Sequence, residues 1–468
     1  MRLSQGGADQ RKLPAPHLLA MFLRSEQLLV VSPIVGLALL AIAWLIPGDS
    51  QAAAQDFLNA SPPRPERPTN GLEVSDSVSL QEMLEKAPEG STLLLAPGEY
   101  QGPILIERGL TIWGPEDAII VTSGEGTTVR MHGENCAALG FSIRGSGTRY
   151  DLLDAALELQ GTGLRAEGLN ISGAVYGIIA NRSHRITLRG NQVVGTGQKA
   201  MGLRGDGIRI WETNESEVSH NRMRNARDMV IWYSNNNRIF GNEVRGSRYG
   251  THLMYSHDNQ VHGNTYVGNV VGLFSMYSRR LLLENNIFAN SSGSAGIGLG
   301  MKESSDLEIK NNLFVGNERG LYFDNSPFGR DTKIEVHSNE FHFSSVALDF
   351  HDPPKNISIQ NNLFRNNWSL VAVAGRGDAL KVLTTGNDFD TYQGYDLDDD
   401  TVGDIPFEER SMSEQLISAR PSLALFRGTP ASGMLEAIGQ LLPLYKPSPL
   451  LRDETPTMKQ PRDWSLAR

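Results

Sequence analysis

GDGIRIWETNESEVSHN (205–221), RDMVIWYSNNNRIFGN (227–242), RYGTHLMYSHDNQVHGN (248–264) and VVGLFSMYSRRLLLENN (270–286) state one pattern four times in succession. Each sets a short β-rich run, a polar corner and an asparagine at matching points, and Asn221, Asn242, Asn264 and Asn286 fall 21, 22 and 22 residues apart. A fixed period of that length marks a solenoid. The runs between the marks are four to six residues long, alternate apolar with polar, and stop at Gly, Asn, Ser or Asp. That is strand and turn chemistry, with no helical stripe. Each copy therefore reads as one rung of a parallel β-helix, with neighbouring rungs about 4.8 Å apart so that equivalent residues stack into columns.

Alternation of side chains across a strand assigns the faces. Ile208, Met229, Thr251, Leu273, Leu299 and Leu321 form one inward column, and Ile210, Ile231, Leu253, Ser275, Met301 and Phe323 another. The residues between them point outward: Arg209, Val230, His252, Phe274, Gly300 and Tyr322, and Trp211, Trp232, Met254, Met276, Lys302 and Asp324. Two tryptophans, two methionines and a phenylalanine on adjacent outward rungs are a contiguous apolar patch, the mark of a docking or ligand surface.

The chain has 468 residues, enough for roughly two or three ordinary domains but also for one long solenoid. A net charge of −10 leaves no basic footprint for nucleic acid. The single cysteine, Cys136, excludes a disulfide framework and a Cys-based zinc site and reads as a buried, inert thiol. Residues 28–47 form an apolar run preceded by Arg2, Arg11, Lys12 and Arg24 and followed by Ala52 and Ala54. The pattern fits export with cleavage after Ala54, and the run is also long enough to stay as an anchor. Residues 1–54 are thus read as signal peptide or membrane anchor, and 55–70 as a Pro-rich linker. Either way the solenoid lies outside the cytoplasm.

The β-helix is expected over 71–394, about 14 rungs and about 65 Å long. A helix over Ser79–Ala87 would cap its first end, as open solenoid cores require. Arg144–Asp154 interrupts the rungs as a loop of function or of drift. The ladder continues through Asn191, Asn312, Asn339, Asn362 and Asn387, whose corner position suits a left-handed backbone and hydrogen bonds between copies. Beyond it, 395–446 reads as an acidic loop and a helical cap, with short helices at Ser411–Ala419 and Ser432–Leu442, and 447–468 as a disordered tail. In that loop Asp396, Asp398, Asp400 and Asp404 are spaced as calcium ligands, although Thr401 stands where an EF-hand loop needs glycine. A solvated acidic turn is the competing reading.

The rungs RGDGIRIW (204–211), RYGTHLMYSHDN (248–259) and GLFSMYS (272–278) resemble the NosD family. So do the opening TLLLAPGEYQGP (92–103) and the closing GYDLDDDTVGDIPF (394–407) followed by RPSLALF (420–426). The likeness spans 71–443. It implies a right-handed β-helix in the periplasm that works with an ABC transporter permease and a copper chaperone to assemble the copper site of a nitrous-oxide-reductase-type client metalloenzyme. RDMVIWYS (227–234), YGTHLMYS (249–256) and GIGLGMKES (296–304) depart from the family's rungs and mark a divergent member.

Resemblance and columns converge on one place. His252 and Met254 are two apart on the outward face, with Met276 stacked beside Met254, an imidazole and two thioethers suited to copper(I), a soft ion. His257 and His262 lie close by in sequence. The bland reading of the same face is partner binding through Trp211, Trp232, Met254, Phe274, Met276 and Tyr322. Many exported β-helices instead act on polysaccharides, as lyases, hydrolases or epimerases, and need a carboxylate cluster in a groove. The acids here, Asp206, Asp228, Glu303 and Asp324, include only one pair, Asp206 and Asp228, able to stack in adjacent rungs. An epimerase-like DPHD is replaced by HDPP at His351–Pro354. The chain is therefore read as non-catalytic, with the polysaccharide enzyme as the alternative and a structural scaffold behind it.

Overall fold

A computed structural model describes residues 64–441 and 447–458. The signal-peptide or anchor segment at 28–47 and the start of the linker lie outside the described residues. Among those described, no helix is long and apolar enough to cross a membrane.

The chain winds as a right-handed parallel β-helix through three sheets of 14, 13 and 12 strands. The rung at 217–232 shows the unit. Glu217–Ser219 lies in the first sheet, Arg222–Arg224 in the second and Asp228–Trp232 in the third. Every strand pairs in parallel with its copy in the next rung, so the inward side chains form columns: Val218, Ile239, Val261 and Leu283 follow one another in register. All four are fully buried. The second sheet contributes a stack of rings, Tyr266, Phe288, Phe314, Phe341, Phe364 and Phe389, with successive centroids 4.7–5.3 Å apart.

The asparagine ladder stands at the corner between the first two sheets. Oδ1 of Asn264 accepts from the backbone N–H and the Nδ2 of Asn242, and its own Nδ2 donates to the Ile239 carbonyl and to Asn286 Oδ1. The same bonds repeat from Asn191 to Asn387. One expectation is corrected: the left-handed residue is not the ladder asparagine but the one before it, such as Gly263, Asn285 or Asn361. That residue makes the turn and leaves the asparagine free to point inward.

Ser79 accepts from the Glu82 N–H and starts the capping helix Leu80–Lys86, whose Leu80 and Leu84 close the core. Helices Met412–Ala419 and Pro430–Leu441 form the cap at the far end. The segment after Pro447, expected to be a disordered tail, is ordered over 447–458. Leu451–Asp453 pairs antiparallel with Phe407–Glu409, and Leu450, Leu451 and Asp453 are buried. The reason is the ladder: Asp453 Oδ2 accepts from Nδ2 of Asn387 at 2.7 Å, giving the last asparagine the partner that a further rung would supply. Cys136 is buried and unpaired, and burial raises its thiol pKa.

Candidate functional site

The outward face of the third sheet is built from the strands Ile208–Trp211, Asp228–Trp232, Tyr249–Met254, Val271–Met276, Ile297–Lys302 and Arg319–Asp324. Cross-strand register places Trp211, Trp232, Met254, Met276, Lys302 and Asp324 in one column. The column beside it runs Arg209, Val230, His252, Phe274, Gly300, Tyr322.

This face is not open along its whole width. His252 and Phe274 are only 5% and 7% exposed. Apolar residues at the starts of the strands fold over them: Tyr249, Val271 and Ile297 pack with Phe274, Met276 and Tyr322 as a small outer core. The Tyr249 ring lies 4.7 Å from that of His252 and 5.8 Å from that of Phe274. Gly300 makes room for Phe274, since a Cβ there would stand 2.6 Å from the ring. The accessible part of the stripe is the other column, where Trp211, Trp232, Met254 and Met276 are each half-buried.

His252 is held from both sides. Its Nδ1 accepts from Trp232 Nε1 at 3.3 Å, and its Nε2 lies 3.4 Å from Met276 Sδ. Burial lowers its pKa to about 4, with Asp228 pulling upward and Arg248 and Arg227 downward. The ring is neutral at pH 7, the form that binds metal. With Nδ1 accepting, its proton sits on Nε2 and points at the sulfur, so a metal seated between these atoms would displace that proton. The separation matches roughly what a d10 ion spans with bonds of about 2.0 Å to nitrogen and 2.3 Å to sulfur. Met254 joins by register, its Cα paired with those of Trp232 and Met276. The donor set is soft and suits copper(I). His257 and His262 stay apart from it: His257 Nδ1 accepts from the Arg279 N–H, and His262 stacks on Phe240.

Trp211 and Trp232 lie 5.5 Å apart, and the Arg209 guanidinium sits over both rings at 4.9 and 5.2 Å. A second aromatic row continues from them. Tyr233, Tyr255 and Tyr277 stack at 5.2 and 4.8 Å along the next corner, all three in the left-handed region. They occupy it because the following serines turn inward: the Ser234 N–H donates to Ser256 Oγ and the Ser256 N–H to Ser278 Oγ. Sequence reading missed this row. Its signal was the repeated Tyr-Ser after Trp232, Met254 and Met276, at 233–234, 255–256 and 277–278.

The acids behave differently from a catalytic pair. Asp206 and Asp228 do come together in adjacent rungs, but both side chains are fully buried. Asp206 pairs with Arg227 at 2.9 Å and Arg209 at 3.3 Å, and Asp228 is gripped by Arg248. Burial raises the Asp206 pKa, opposed first by Arg227. Asp324 is paired with Lys302 at 2.7 Å. In the loop after the rungs, one carboxylate oxygen from each of Asp396, Asp398 and Asp400 lies within 4.8 Å of the others. Asp404 instead accepts from the Leu397 N–H at 2.9 Å, while Asp396 accepts from Thr401 and Asp400 from Val402. Asp404, Asp396 and Asp400 thus brace the backbone of their own turn.

Residues 194–392 match the family model described as periplasmic copper-binding protein (NosD). A probable ABC transporter binding protein NosD of Stutzerimonas stutzeri is 26% identical over 393 residues, covering 80% of this chain and 89% of the relative. Its counterpart in Pseudomonas aeruginosa is 26% identical over 382 residues, covering 78% and 88%. Among solved structures, the catalytic unit of an α-1,3-glucanase from Streptomyces thermodiastaticus superposes with a TM-score of 0.55 at 13% identity, over 70% of each chain. A mannuronan C-5 epimerase module from Azotobacter vinelandii gives 0.50 at 13% identity, over 67% of this chain and 94% of that one. At that identity both show the β-helix fold alone.

Proposed function

We propose, from the premise that this chain is a divergent member of the NosD family, that it is the non-catalytic periplasmic binding component of an ABC transporter system and handles copper(I) as cargo for a client metalloenzyme. The observation that carries the reading is the 3.4 Å approach of His252 Nε2 to Met276 Sδ, with Met254 beside it. Those three side chains would hold the ion. Trp232 and Trp211 would face the permease, chaperone or client that gives or takes it. An enzyme acting on polysaccharide is the weaker reading, because the acid pair beside the tryptophans, Asp206 and Asp228, is buried and spent on arginines.

The test is a copper(I) titration against a competing chelator, with the parent protein and with a variant carrying His252→Ala, Met254→Ala and Met276→Ala. Competition by the parent that the variant loses supports the copper reading. If the parent fails to compete, the copper site falls and the face stands as a docking surface alone.

A further inference from the structure

A different part of the same outward face carries an unassigned site. The irregular loop at 144–154 lies against the first rungs of the third sheet and borders a half-open cavity of about 350 Å³. The loop is fixed in place: Asp154 accepts from the Arg149 N–H at 2.9 Å, and the Tyr150 hydroxyl donates to the Leu203 carbonyl of the next such loop. Leu152, Leu153 and Ile179 give the cavity an aliphatic side, and His132 is the one ring among its lining residues. Arg130 and Glu158, adjacent in register, give it a charged side.

That charged pair is loosely joined. Arg130 touches Glu158 through one contact, Nε to Oε2 at 3.3 Å, and no other carboxylate among the described residues pairs with its guanidinium. The terminal nitrogens of Arg130 and the second oxygen of Glu158 thus remain available side by side, about one strand spacing apart. An arginine fork is made for a carboxylate, and a carboxylate oxygen for an ammonium. A ligand carrying both charges on neighbouring atoms exchanges one weak ion pair for two charge-assisted ones. Its apolar side chain then covers Leu152 and Leu153. A neutral saccharide such as glucose has neither charge to offer this pair.

We infer that this cavity binds a zwitterionic amino acid or dipeptide with an aliphatic side chain, its carboxylate on Arg130 and its ammonium on Glu158. The inference is independent of the copper reading, since the site lies rungs away from His252 and shares no residue with it.

Calorimetric titration of the full chain with L-leucine and with leucyl-leucine tests it, beside N-acetylleucine, leucinamide and glucose. The expected result is binding of at least one zwitterion, weakened about tenfold when either charge is blocked. Arg130→Gln and Glu158→Gln, both at the surface, should weaken it by a similar factor without lowering the melting temperature. The inference is overturned if neither zwitterion binds at millimolar concentration, if the blocked compounds bind equally well, if glucose binds better, or if both variants bind like the parent.

Discussion

Replacing Asn264 by alanine removes four buried hydrogen bonds from the middle of the rod, and a fifth, part-buried one from its Nδ2 to the His262 carbonyl. The Asn242 backbone N–H, 2.9 Å from Asn264 Oδ1, loses its acceptor, and Asn242 Nδ2 loses one of two. The Ile239 carbonyl and Asn286 Oδ1 each lose a donor. All of these groups are buried, so water does not replace what is lost. Each stranded buried polar group costs about 1–3 kcal/mol. Two backbone groups and two partly satisfied amides together put the loss at about 3–5 kcal/mol. The control is Gln260→Ala, an exposed residue on the neighbouring strand Gln260–His262, expected to change stability by about 0.5 kcal/mol or less. Urea unfolding followed by circular dichroism gives both values from midpoints and slopes. A loss below about 1 kcal/mol for Asn264→Ala at an unchanged slope would refute the claim that the ladder, rather than the apolar columns alone, holds the rungs.

Two further outcomes follow from particular contacts. Burial, then the charges of Glu436, Glu414 and Asp390, raises the pKa of Glu409 in the far cap from 4.5 to about 7. The folded protein therefore holds a proton that the unfolded chain has released, and this group's contribution falls as pH rises from 4.5 to 7, by roughly 3 kcal/mol in all. Glu409→Gln should flatten that part of the pH profile of urea midpoints, and an unchanged profile would show that the carboxyl is solvated. Gly300→Val should cost about 1–3 kcal/mol by forcing the Phe274 ring away, as overpacking does. Gly202→Val meets nothing within 4 Å and should be silent in the same urea unfolding measurement.

The asparagine spacing contained most of the fold. An amide that recurs every 21 or 22 positions can bond to its own copies and to a buried carbonyl of the neighbouring rung, so the marks fix rung length, register and the inward direction together. That is why the outward columns and the second inward column assigned between Ile208 and Asp324 match the observed pairing, while the first inward column is interrupted by a register shift between Asp228 and Val230. The closing segment carried no such periodicity. Leu451–Asp453 is a lone strand whose partners lie more than forty residues back, and nothing local in a Pro-rich stretch announces that Asp453 ends the ladder.

The candidate site was legible as a set of residues and not as a surface. Strand alternation says that His252 and Phe274 leave the core, but whether they meet solvent depends on the residues that begin each strand, which alternation does not place. Tyr249, Val271 and Ile297 close over them and make a second, thinner apolar layer outside the sheet. This layer changes what His252 can do. An exposed imidazole would titrate near neutrality and exchange freely with water. The covered one is held neutral between an indole N–H and a thioether, so the soft ligands stay uncharged and the hard competitors of a soft ion gain nothing there. Trp232 reaches both sides of the boundary, half-buried yet bonded to His252. Under the proposed roles, a partner pressing on Trp232 from outside would act directly on the ring inside, and docking on the aromatic face would be coupled to the imidazole and sulfur through that one hydrogen bond.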